Sequence, residues 1–100
     1  MTTPEGVVKR KIDRMLAQLG VWYFSPQAGP HGRAGVPDRL VCAHGRFIGI
    51  EAKADASKHP TRLQKSCMAQ IEAAGGKCFV VHDDATLEVV RKFLVEELGC

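Results

Sequence analysis

Three residues near the middle of the chain have types and spacing suited to one chemistry: Asp38, Glu51 and Lys53. Asp38 ends the step Gly35-Val36-Pro37-Asp38, and Glu51-Ala52-Lys53 follows the apolar stretch Phe47-Ile48-Gly49-Ile50. His44-Gly45 lies between the two stretches and reads as the two-residue loop of a tight hairpin. Counting outward from that loop sets Asp38 opposite Glu51. Directly opposed strand residues have Cβ atoms about 4.5–5.5 Å apart on one face. Lys53 shares that face, because strand side chains alternate with period two. Two opposed carboxylates repel, so a strand pair that served structure alone would avoid them. A divalent cation between them removes the repulsion. Mg²⁺ takes oxygen ligands, commonly one or two carboxylates completed by waters and phosphate oxygens. Such an ion lowers the pKa of water and stabilises negative charge at phosphorus, the needs of phosphodiester hydrolysis. Lys53 is then placed to orient the attacking water or to neutralise the developing charge.

The elements that must position this set follow from periodicity and caps. A helix is predicted from Pro4 to Leu19, with Thr3 as N-cap, Pro4 in the first turn and Gly20 as the stop. Val8, Ile12, Met15, Leu16 and Leu19 form its apolar stripe, and Glu5 lies on that stripe. Val21 to Phe24 reads as a strand, and the Gly- and Pro-rich residues 25–37 as a loop. Asp38 to Cys42 and Arg46 to Lys53 are the hairpin strands. A second helix is predicted from Pro60 to Ala74 with the stripe Leu63, Cys67, Ile71 and Ala74. Gln64 shares a face with Met68 and Ile71, so it points at the sheet and needs a polar partner. Either a site lysine, carboxylate or phosphate, or the preceding loop, could supply one. Cys78 to His82 reads as a buried strand. A last helix is predicted from Ala85 to Leu98, capped by Asp83 or Asp84, with the stripe Leu87, Val90, Leu94 and Leu98. The order αβββαβα predicts an α/β fold, a single domain over residues 1–100 with a mixed central sheet flanked by helices.

A chain of 100 residues is one ordinary domain. It buries only about two thirds of the surface its unfolded chain exposes, so a second copy would add stability. Hydrophobic residues make up 45% and charged residues 25%, with no apolar run near the roughly 18 residues of a membrane span. The N-terminal stretch lacks an apolar signal segment. Cys42, Cys67, Cys78 and Cys100 include no CxxC pair, which argues against a structural zinc site or a compact disulfide framework and for reduced thiols in a cytoplasm. His31, His44, His59 and His82 lack metal-ligand spacing. The net charge of +3 permits nucleic-acid binding without demanding it. His31 and Arg33, in the glycine-rich loop before Asp38, and Arg62 and Lys65, on the second helix, are candidates for phosphate contact. Trp22, Tyr23 and Phe24 read as core or dimer surface rather than a base-stacking platform.

Gly35-Val36-Pro37-Asp38 followed by Glu51-Ala52-Lys53 resembles the PD-(D/E)XK nuclease motif, and αβββαβ is that superfamily's core order. More narrowly, the chain resembles the virus-type replication-repair nuclease (VRR-NUC) domains. The shared features are an opening helix with Glu5, the G-x-PD step, the I-E-A-K strand, Gln64 early in the next helix, and Ala73-Ala74-Gly75-Gly76 leading into a strand. The resemblance runs from about Glu5 to Leu98. It implies Asp38, Glu51 and the Ala52 carbonyl as metal ligands, Lys53 as the catalytic lysine, and supporting roles for Glu5 at the metal and Gln64 in catalysis. It further implies a Mg²⁺- or Mn²⁺-dependent, structure-specific DNA endonuclease of a bacterial or phage-infected cytoplasm. Four-way (Holliday) junction resolution is the expected activity. A C2 homodimer would match the two-fold symmetry of such a junction. A short chain leaves room for reading the shape of branched or double-stranded DNA through its backbone rather than its bases. The alternatives are a nuclease preferring flaps or nicks, a non-catalytic DNA-binding module with this fold, and an unrelated interaction domain.

Overall fold

The first helix, α1 (Pro4–Leu19), starts at Thr3, whose hydroxyl accepts the Gly6 N–H at 2.9 Å, and ends at Gly20 in a left-handed conformation. Residues 2–27 and 32–100 are described by a computed structural model. Val8, Ile12, Met15 and Leu16 are the buried stripe of α1, as its spacing requires.

Three antiparallel strands follow: β1 (Trp22–Phe24), β2 (Arg39–Ala43) and β3 (Arg46–Ala52). His44 and Gly45 form the two-residue turn with φ of 49° and 78°, the double positive φ of a type I′ turn. Ala43 therefore pairs with Arg46 and Arg39 with Ile50, the register expected from the turn. Asp38 and Lys53 lie just outside the regular strands. A crossover through α2 (Arg62–Ala73) returns the chain to β4 (Lys77–Val81), parallel to β3. The result is an α/β domain with a four-stranded mixed sheet in the order β1-β2-β3-β4 and three helices.

Alternate sheet residues sort the two faces. Val41, Ala43, Ile48, Ile50, Ala52 and Val81 join α1 and the last helix, α3 (Asp84–Lys92), in one buried cluster completed by Val90 and Leu94. Helix α2 covers β3 and β4 on the opposite face, where Cys67 is buried. No helix of the described residues is long and apolar enough to cross a membrane.

Four details differ from expectation. Helix α2 starts at Arg62, because Thr61 caps it and Gln64 closes the capping box. Its Leu63 is 59% exposed, so the buried stripe turns toward Gln64, Cys67, Met68 and Ile71. Strand β4 ends at Val81, since the His82 N–H goes to the Thr86 hydroxyl instead of the ladder. The final helix is not uniform. After Lys92 it widens into a π-helical turn, Phe93–Glu97, and the Leu98 N–H reaches the Phe93 carbonyl.

Candidate active site

Asp38 and Glu51 grip one another through each other's backbone. The Asp38 N–H donates to Glu51 Oε1 at 3.2 Å, and the Ala52 N–H donates to Asp38 Oδ2 at 2.8 Å. The hairpin register makes this exchange possible, because it brings the residue before β2 opposite the end of β3. Each carboxylate thus commits one oxygen to the backbone and turns the other toward an ammonium group. Glu51 Oε2 lies 3.3 Å from Lys53 Nζ, and Asp38 Oδ1 lies 3.5 Å from Lys9 Nζ. Glu51 is 1% exposed, the one charged residue among the buried set described. Burial first, and the neighbouring Asp38 charge second, raise its pKa to about 7 against the opposing pull of Lys53.

Lys53 is held from a second side. Its Nζ donates to Gln64 Oε1 at 2.9 Å, and that oxygen also accepts the Thr61 N–H at 2.8 Å. Gln64 therefore serves the helix cap and the lysine at once. The two partners weighed from sequence, a site lysine and the preceding loop, are both present.

Backbone shape brings α2 to the site. Gly35 has φ of 83°, and a Cβ there would sit 2.5 Å from the Leu63 carbonyl oxygen. Only a glycine lets the loop press against the first turn of α2 beside Gln64. Buried Pro37 then packs over Gly49, where a Cβ would come 2.9 Å from the proline Cγ. From the other layer, Arg39 forks onto Asp13 of α1 with Nε–Oδ1 at 2.6 Å and Nη2–Oδ2 at 3.0 Å. Its remaining nitrogen donates to the Asp38 carbonyl at 2.7 Å. The hydrogen bonds to Asp13 raise the Arg39 pKa despite partial burial.

Glu5 reaches the site through Lys9, whose Nζ lies 3.4 Å from Glu5 Oε2. Burial draws the Lys9 pKa down, but the charges of Asp38 and Glu5 outweigh it and leave the pKa raised. Lys9 had no role assigned from the sequence. Its position four residues after Glu5, on the face that heads the site, was the available signal. Arg39 had none either, and its place directly after Asp38 was the signal there.

The DNA-contact candidates lie around this centre. Arg33 reaches along α2 to Gln70 Oε1 at 3.0 Å. Arg62 and Lys65 are exposed on α2 either side of Gln64. Arg33, Gly35, Pro37, Asp38 and Gln64 line a cleft of about 400 Å³. His31 lies outside the described residues. His44 stays in the hairpin turn, with its ring against the Leu98 carbonyl.

No group of three or more His, Cys, Asp or Glu among the described residues is close enough to hold a metal on its own. The donor chemistry fits a hard divalent ion all the same. Asp38 and Glu51 offer an oxygen pair, and Mg²⁺ commonly takes one or two carboxylates and completes its shell with water and phosphate oxygens. The Lys9 ammonium at Asp38 and Glu5 already shows a cation seated against this acidic edge. No protein-family model matches the chain, and a search of curated proteins found no match to it.

Proposed function

We propose that this chain is a divalent-metal-dependent DNA endonuclease of PD-(D/E)XK type that resembles the VRR-NUC domains. The observation that carries the reading is the Asp38–Glu51 clasp joined to Lys53 and Gln64. A buried glutamate facing an aspartate is costly for stability alone and useful for holding a cation. The element order and the strand order β1-β2-β3-β4 support the same fold reading.

Asp38, Glu51 and the Ala52 carbonyl would hold a Mg²⁺ or Mn²⁺ ion, which would supply charge neutralisation at a phosphate and a more acidic water. The chain's own residues do the rest. Glu51 and Gln64 fix the Lys53 ammonium in direction, so it meets developing negative charge without reorganising. Gln64 cannot turn away without giving up the Thr61 N–H half of the α2 capping box. Arg33, Arg62 and Lys65 supply cations for flanking phosphates.

The favoured substrate is a four-way DNA junction, cut by a C2 homodimer. Support for the dimer comes from the sheet face that α2 leaves open. Trp22, Cys42 and Phe47 form one cross-strand row, and Phe24 and Leu40 begin the next. Trp22, Phe24 and Phe47 are 62%, 49% and 43% exposed, and the two β1 rings stack 6.5 Å apart. These rows hold no charged residue, which suits a second copy better than a phosphate backbone. Tyr23, between them, turns inward to the core.

The test is a cleavage panel in Mg²⁺ or Mn²⁺ across junction, flap, nicked and linear DNA. Glu51→Ala and Lys53→Ala should each lower junction cleavage by at least about 100-fold while leaving DNA binding. Undiminished cutting by both variants sinks the site assignment. Branched-DNA binding by the wild type with no cutting of any substrate would instead favour a non-catalytic module.

A further inference from the structure

We infer that Lys9 is a built-in stand-in cation, which competes with the divalent ion at Asp38 and strengthens the hold on DNA. The inference rests on the metal site proposed above. Asp38 Oδ2 is committed to the Ala52 N–H, so Oδ1 is the oxygen left for a ligand. That oxygen is the one Lys9 Nζ approaches, at 3.5 Å. The same ammonium lies 3.4 Å from Glu5 Oε2. Lys9 therefore occupies both carboxylates that could receive a cation from the α1 side, while Lys53 occupies Glu51 from the other.

The charge balance gives Lys9 a second effect. Glu5, Asp38 and Glu51 face two ammonium groups, so the ionised set is one positive charge short of neutral. A divalent ion tips it to one positive charge in excess, which suits a phosphodiester. Without Lys9 the loaded set is neutral and draws phosphate less. Removing Lys9 should thus tighten metal binding and weaken DNA binding. A residue with a merely structural role would weaken both.

The test compares the wild type with Lys9→Met, Lys9→Arg and Asp38→Ala. Mn²⁺ affinity is measured by calorimetry without DNA. Four-way junction affinity is measured by fluorescence anisotropy in Ca²⁺. Lys11→Met is the control, since Lys11 pairs with Asp84 at 2.9 Å, away from the site. Lys9→Met should bind Mn²⁺ about two- to fivefold more tightly, the worth of a partly exposed ion pair. Its junction affinity should fall by about the same factor. Lys9→Arg and Lys11→Met should match the wild type in both. Equal or weaker Mn²⁺ binding by Lys9→Met overturns the inference. If Asp38→Ala still loses Mn²⁺ in that case, the metal site stands and only the role of Lys9 falls. If Asp38→Ala binds Mn²⁺ as the wild type does, both fall.

Discussion

Glu51 sits where a carboxylate is hardest to keep charged, with Asp38 in front of it and the sheet behind. Its pKa of about 7 lies above the ordinary 4.5, so the folded chain holds a proton that the unfolded chain has released. The stability linked to that proton is fully present below about pH 4.5 and is lost as pH rises through 7. A divalent ion at the proposed site would have to expel the same proton. Mn²⁺ binding should therefore release about one proton at pH 6 and far less at pH 9. Calorimetry in buffers of different ionisation enthalpy checks this, and equal release at both pH values would contradict it. Much at this scale was legible in the sequence. Asp38, Glu51, Lys53 and Gln64 converge because the hairpin register sets the first three at one end of β2 and β3 and the period of α2 turns Gln64 toward them. Lys9 and Arg39 were not legible, because a long cation's partner depends on how α1 crosses the sheet. Glu5, which the resemblance implies at the metal, meets Lys9, and through it Asp38.

The hairpin and the glycine loop do most of the positioning. The hairpin register followed from sequence because two residues with positive φ admit one turn geometry, and a turn fixes every pair beyond it. The approach of the loop to α2 did not follow, since nothing in the order of residues tells which helix a glycine will touch. Gly35→Ala places a methyl group against the Leu63 carbonyl and forces a positive φ on alanine. It should cost about 2–3 kcal/mol in urea unfolding and lower cleavage, because the loop carries Asp38. Unchanged stability would mean that the loop is held elsewhere. The π-helical turn at Phe93–Glu97 was equally hidden, because a period of 3.6 describes the apolar stripe through Leu94 and Leu98 nearly as well.

At the scale of the molecule, one face of the sheet is only half clothed. Helix α2 packs on β3 and β4, while the aromatic side chains of Trp22, Phe24 and Phe47 stay open. If a second copy covers them, Phe24→Glu should convert the dimer to a monomer in light scattering while leaving the far-ultraviolet spectrum intact. A wild-type monomer at micromolar concentration would remove the dimer reading and leave the metal site untouched. The hairpin also bears on how the molecule assembles in time. The contacts that clasp Asp38 to the end of β3 span only 13 and 14 residues, whereas Arg39 must find α1 across 26. Hairpins close in about 1–10 μs, and short loops are cheap to close. The carboxylate pair can therefore form within the hairpin alone, and its two lysines depend on different parts of the fold. Lys53 arrives with the strand, and Lys9 waits for the helix to dock.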